Sequence, residues 1–323
     1  MLIPLAVILL AMASNASTAP QTDTRPAPEV AFTIKEKDLI PEGIAWDPTT
    51  STMYVSSLHK DKIISIAADG TAKDFTSSRQ DGLWNVFGLR VDPERRVLWA
   101  MSAGEHRMKK EKGLSGVFKY DLATGKLIRK YLPTDDIRNH MFNDGVVSPR
   151  GDLYLTDTLA GAVHWIPIDK DELLPFLAVG TIQYPNGITI SPDGRSLFVA
   201  HSLGISVIDT STRDIRDIRT LEGVPLLGID GLYFHKGGLV AIQSGRKLER
   251  VMRFQLNATF DRVEGAETLD AANPLFNTPT TGAVVGDTFY YLANSQMDSY
   301  TPEGRIFPPD KLEETWILKV VLR

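Results

Sequence analysis

Glu42, Asp144, Asn186 and Asp230 each stand immediately before a glycine, and two further positions of the same frame hold Phe87-Gly88 and Thr281-Gly282. Successive spacings are about 45, 57, 42, 44 and 51 residues, which is the period of propeller blades. Two aspartates, a glutamate and an asparagine amide are hard oxygen donors, suited to a divalent cation of the Ca or Mg type or to acid–base work on a polar bond. The chain contains no cysteine, so disulfides, thiolate metal sites and thiol nucleophiles are excluded and any metal falls to oxygen or imidazole.

Groups so far apart meet only if the fold brings equivalent positions together. After each glycine comes a short apolar strand, a turn such as Asp47-Pro48, Asp92-Pro93, Pro149-Arg150-Gly151 or Pro192-Asp193-Gly194, and then a second apolar strand. Third strands follow in each repeat, and no segment has a sustained amphipathic helical period. These patterns predict an all-β, six-bladed β-propeller in one domain over residues 30–323, with the first strand of every blade lining the central channel. Closure needs a strand from each end of the chain, since an unpaired edge invites aggregation. We expect residues 316–322 inside the last blade and residues 30–34 as its outermost strand. The connection from second to third strand then lies over the channel mouth, where long insertions at 102–115, with a basic run at 107–112, and at 294–314 are placed to roof the site.

A formal net charge of −5 and a pI near 5.7 argue against a nucleic-acid partner. Residues 2–12 form an apolar run, followed by small residues through Ser17, so 1–19 reads as a signal peptide and 20–29 as a linker. The run is too short to span a bilayer, and no stable membrane span is expected after its removal. The expected compartment is periplasmic or secreted. The oligomeric state is not legible.

Glu42-Gly43-Ile44-Ala45-Trp46-Asp47, Phe142-Asn143-Asp144-Gly145, Pro185-Asn186-Gly187-Ile188 with Ser191-Pro192-Asp193-Gly194, and Asp230-Gly231 together resemble the regucalcin/gluconolactonase family of six-bladed propellers, itself distantly similar to paraoxonase-type lactonases. The resemblance implies one divalent cation held by Glu42, Asn186 and Asp230, with Ca first and Mg, Mn or Zn as alternatives, and Asn143 close by. It also implies hydrolysis of a sugar lactone or related ester, with Asp230 or the neighbouring Asp144 as general base.

Two departures bear on the substrate. Met141 stands where the sugar-lactone enzymes carry an arginine, and Phe87 where paraoxonase-type enzymes carry a histidine, so the mouth is expected to be apolar at Phe87, Met141 and Phe142, with Trp84 as a further candidate. An apolar lactone or aryl ester therefore stands beside an aldonolactone as substrate. Of the six histidines, His140 and His201 fall on the expected site face as candidates for binding substrate, and no paired spacing suggests a histidine metal centre. Asp144-Gly145, Asn186-Gly187 and Asp230-Gly231 are also ordinary turn dipeptides. The alternative function is a non-catalytic propeller that binds a small ligand or protein at a face carrying a structural cation.

Overall fold

Short runs of β-branched and aromatic residues, cut every few positions by turn residues, suit strands half-buried between neighbouring sheets rather than helices. The computed structural model describes residues 26–104, 113–135, 139–244 and 248–322. The expected signal peptide, the first part of the linker and the basic run at 107–112 lie outside the described residues.

Six four-stranded antiparallel sheets surround one axis. From the inside outwards, blade one is Ile44–Asp47, Thr52–Ser56, Ile63–Ile66 and Ala72–Asp74, and blade two is Asn85–Asp92, Val97–Ala103, Ser115–Asp121 and Leu127–Tyr131. Blade three is Phe142–Val147, Leu153–Asp157, Ala162–Ile166 and Leu174–Leu177, and blade four Ile188–Ile190, Ser196–His201, Gly204–Asp209 and Ile215–Asp217. Blade five is Ile229–His235, Gly238–Gln243, Arg250–Leu256 and Val263–Ala271. Blade six joins Gly282–Val285, Thr288–Leu292 and Thr315–Val321 to Glu29–Ile34, with Phe32 opposite Ile317, so the two ends of the chain close the ring as expected. Helical structure among the described residues is confined to three short 3-10 turns. No helix among them is long and apolar enough to cross a membrane.

No blade has a core of its own. Each of six apolar clusters is shared by two adjacent blades, as where Phe198 and Val207 of blade four pack with Leu232 and Phe254 of blade five. Burial between blades therefore holds the ring together, and the site at its centre is only as rigid as the closure. The outermost strands of blades one and four, Ala72–Asp74 and Ile215–Asp217, are three residues long and exposed, which limits edge-to-edge pairing.

Polar fasteners add to the apolar ones. Arg96 of blade two donates to both carboxylate oxygens of Asp47 in blade one, at 2.7 and 2.8 Å. Burial pushes the Asp47 carboxyl up, but the Arg96, Thr50 and Thr49 bonds outweigh it and bring it down to about 2. Since the folded value lies below the unfolded one near 4, this contribution is present above pH 4 and is lost as pH falls through 2. Arg96→Ala is expected to lower stability by about 1–2 kcal/mol at pH 7, with the difference vanishing near pH 2, as measured by urea denaturation at both pH values.

Candidate active site

The inner strands approach one another closely around the axis because the repeat glycine leaves out a Cβ. A Cβ on Gly43 would lie 2.2 Å from the Phe87 carbonyl oxygen of the next blade, and one on Gly187 would lie 2.5 Å from that of Asp230. Any side chain there would push the blades apart. The residues just before these glycines, Glu42 and Asn186, are therefore held on the same ring. In blades two, three and five the inner strand shifts register between Val86 and Leu89, Phe142 and Gly145, and Ile229 and Leu232. These bulges bracket Phe87, Asn143 with Asp144, and Asp230, and a bulge re-aims side chains that regular pleating would alternate.

The structure brings the expected oxygen donors together. Asn186 Nδ2 donates to Asp230 Oδ1 at 2.8 Å, and Ser244 Oγ donates to Asp230 Oδ2 at 3.4 Å. Asn143 is fixed by its Nδ2 donating to Thr158 Oγ1 at 3.1 Å, while Thr158 Oγ1 donates in turn to the Pro185 carbonyl at 2.7 Å. The Glu42 backbone is held by Thr280 and Thr281, whose hydroxyls donate to its carbonyl oxygen. That is the role of the sixth member of the frame. Glu42 Oε2, Asn143 Oδ1 and Asn186 Oδ1 are all buried without a hydrogen-bond partner. Buried oxygens are costly to leave unpaired. Two carboxylates and two amide oxygens, three of the four residues offering an unpaired atom, make a donor set that fits a hard divalent cation.

The charge count points the same way. Burial raises the Glu42 carboxyl well above its ordinary value, and the charges of Asp230 and Asp144 add to this against an opposing pull from Arg90. Burial likewise carries Asp230 up to about 6, helped by Asp144 and opposed by its bonds to Asn186 and Ser244. Burial raises the Asp144 carboxyl too, against the pull of Arg90 and the Gly145 and Ile188 amides, and those bonds set it apart from the other two. Its Oδ2 accepts from Arg90 at 2.7 Å and its Oδ1 from the Gly145 amide at 2.9 Å, so as a general base it has no free oxygen edge. Arg90 lies 5.6 Å from the centre of the Tyr233 ring, and the Tyr233 hydroxyl accepts from the Gly282 amide at 2.6 Å. One guanidinium against three carboxylates leaves two negative charges when all are ionised, which is the charge a divalent cation carries.

Beside Asn186 and Asp230 opens a cavity of about 250 Å³, also lined by Tyr184, His201, Ser202, Gly228, Ile229 and Ser244. His201 is at the site as expected, but its ring is fully bonded. Nδ1 accepts from the Leu203 amide at 3.3 Å and Nε2 donates to Ser206 Oγ at 2.9 Å, which donates to Asp217 at 2.7 Å. Burial holds it below the ordinary histidine value, so it lines the cavity as a neutral ring. Phe87 is buried with Ile40, Leu58 and Ala103, and Met141, Met297, Tyr300 and Ile306 pack against them. Phe87 and Met141 thus share an apolar wall to which the blade-six insertion contributes, whereas Phe142 packs into the cluster between blades two and three and Trp84 into that between blades one and two.

His140 does not join the cavity. It is buried between Asp157, which its Nδ1 meets, and Asp135, 2.9 Å from Nε2. Burial lowers its affinity for a proton, but the two carboxylates more than reverse this. Its substrate-binding role is therefore replaced by a structural one. His140, Asp157 and His164 also bring ligand-type atoms within 4.8 Å of one another, a grouping that sequence spacing did not show. Asp157 Oδ1 is already taken by the Met141 and Ala160 amides and Oδ2 by His140, so the group is a hydrogen-bonded knot at the end of blade three. Arg90, Tyr233 and Tyr184 were not legible as site residues.

Residues 40–257 match the family model described as the SMP-30/Gluconolactonase/LRE-like region. The chain belongs to this family. Its matched span holds Glu42, Asn143, Asn186 and Asp230 together, while all four strands of blade six and the outermost strand of blade five lie outside it. Among curated proteins, none matches. Among solved structures, a gluconolactonase from Xanthomonas campestris is 17% identical with a TM-score of 0.60, covering 91% of this chain and 95% of that one. A luciferin-regenerating enzyme is 16% identical with a TM-score of 0.61 over 91% and 95% of the two chains. An aldose sugar dehydrogenase from Streptomyces coelicolor, in its PQQ-bound form, is 12% identical with a TM-score of 0.63 over 92% and 99%. Structures named for such different chemistries share the propeller with this SMP-30/gluconolactonase/LRE-like chain and show its fold alone.

Proposed function

We propose that the protein is an exported, metal-dependent hydrolase that opens a lactone or a related ester. Family membership supports the lactonase-type reaction. The observation that carries the metal dependence is the set of unpaired buried oxygens of Glu42, Asn143 and Asn186 beside Asp230. Glu42, Asn186 and Asp230 would hold the cation, with Ca first and Mg, Mn or Zn as alternatives for an all-oxygen donor set. The chemistry available from such a cation is polarisation of a carbonyl oxygen and acidification of a water.

The chain's own residues do the rest. Asp230 accepts the proton of the attacking water through Oδ2, whose one bond is the long contact to Ser244, while Asn186 keeps Oδ1 fixed at 2.8 Å. Asn143, anchored on Thr158, presents its free Oδ1 to the water or to a substrate hydroxyl. Phe87 and Met141 exclude bulk water from one side. Export rests on the apolar run at residues 2–12 with its small-residue flank. Recovery of the protein in the cytoplasm of its host would remove that part.

The test is turnover of a panel of aldonolactones, alkyl lactones and phenyl esters, with and without chelator, for wild type and Asn143→Ala. We expect at least one lactone to be hydrolysed, chelation to abolish turnover, and Asn143→Ala to lower activity by about 10–100-fold while the protein stays folded. Turnover that survives chelation, or none across the panel, rejects the reading.

A further inference from the structure

Three apolar side chains stand exposed on the loops beside the cavity: Tyr184, which lines it, at 65%, and Leu159 and Leu203, next in sequence to Thr158 and to the cavity-lining Ser202, at 48% and 71%. They come from three loops laced into one surface. Thr158 Oγ1 donates to the Pro185 carbonyl at 2.7 Å, the Ile182 amide to that of Gly161 at 3.1 Å, and the Ser202 amide to that of Gln183 at 3.0 Å. The same loops carry site residues, since Tyr184, Asn186 and Ser202 line the cavity with Asp230 and Thr158 anchors Asn143. Tyr184 has φ +49° and precedes Pro185, a backbone region that a bulky residue before proline rarely occupies. Its ring is thus turned outward at the rim by a conformation that folding alone does not favour.

Exposed apolar residues scattered singly need no explanation, but neighbouring ones at the mouth of a cavity mark a surface that something covers. The cavity itself is lined by the polar side chains of Asn186, Ser202, Asp230 and Ser244, a lining able to take a carbonyl. On the far side of the channel the wall is Phe87, Ile40, Leu58 and Met141. That far wall offers apolar surface where a polyhydroxylated ring would need donors and acceptors. We propose that Leu159, Tyr184 and Leu203 form a platform for an alkyl or aryl substituent of the substrate, so that the substrate class is a lipophilic lactone or ester rather than a sugar lactone. This rests on the hydrolase reading above and specifies its substrate.

The test separates binding from turnover. The probes are 3-alkylcyclopentanones from methyl to hexyl, in which a methylene replaces the ring oxygen of the matching γ-alkyl-γ-butyrolactones and leaves no bond to hydrolyse. Calorimetry on the calcium-supplemented protein should show affinity rising about twofold to fourfold per methylene, as partial to full burial of each carbon gives. The triple variant Leu159→Ser/Tyr184→Asn/Leu203→Ser, all at exposed positions and with asparagine tolerant of the left-handed backbone, should flatten that slope. Ile168→Ser, at the opposite end of blade three and 41% exposed, should keep it. A flat series in the wild type overturns the proposal, and so does a slope that survives the triple variant. Vesicles of phosphatidylcholine that bind wild type but not the triple variant, with a flat ketone series, assign the rim to a lipid surface and also overturn it. A steep ketone series with no turnover of any matching lactone supports the platform and rejects the hydrolase instead.

Discussion

Asp230→Asn is expected to lower lactone hydrolysis by about 10²–10⁴-fold, the usual contribution of a positioned general base, while making the chelated protein more stable at pH 7.5. The two effects have one cause. Asparagine at this position keeps an oxygen to accept from Asn186 and gains an amide able to donate to Ser244, so the local bonds survive and only the charge is lost. Burial holds the Asp230 carboxyl up to about 6, above its unfolded value near 4. Between those values the folded, metal-free protein binds more protons than the unfolded chain, and its stability falls as pH rises through the window. Above it, an ionised carboxylate remains among like charges at a cost of about 2 kcal/mol, allowing for the partial exposure of the residue. Thermal denaturation under chelation should therefore show a wild type that weakens from pH 4 to 7 and a variant that weakens less. Added calcium should raise the melting temperature of the wild type more than that of the variant. Equal stability of the two chelated proteins across this range would mean that Asp230 carries no uncompensated charge.

The ring was legible because its determinants are local and repeated. Each turn dipeptide and each apolar run reports its own strand, and the glycine frame recurs because Gly43 and Gly187 meet the backbone of the next blade at distances no side chain allows. Glu42, Asn186 and Asp230 were legible for the same reason, as variable residues on an invariant frame. What the repeat concealed was whatever depended on partners in another blade. Asp144 occupies the frame as Asp230 does, yet Arg90 reaches it from blade two and takes its free edge. His140 lies one residue from Met141 on the expected face, but Asp157 and Asp135 turn it into the protein. The bulges at Phe87, Asn143 and Asp230 break the alternation on which inward and outward assignments rest, and no turn residue announces them. Tyr184 was illegible because its exposure follows from a backbone angle rather than from residue type.

Arg90→Met is expected to be the most destabilising single change at the channel, by about 3–5 kcal/mol, because it leaves the Asp144 carboxylate buried at 1% exposure with its charge unmatched. The methionine fills most of the stem's volume and keeps apolar contact with Tyr233, so the loss reports charge more than packing. Adding Asp144→Asn should recover a large part of it, since removing both charges of a buried pair costs far less than removing one. The pair also tells the structural role of Arg90 from its place in the charge count. With the guanidinium gone, Glu42, Asp144 and Asp230 attract a divalent cation more strongly, so calcium should stabilise Arg90→Met by a wider margin than it does the wild type. In the double variant one carboxylate and one guanidinium are lost together, the net charge of the site returns to its original value, and the calcium response should fall back toward that of the wild type. Urea denaturation of the four proteins, with chelator and with saturating calcium, measures both quantities. A single variant within about 1 kcal/mol of the wild type, or a double variant no more stable than the single, would show that Asp144 is not held ionised by Arg90 and that the balance of two negative charges does not describe this channel.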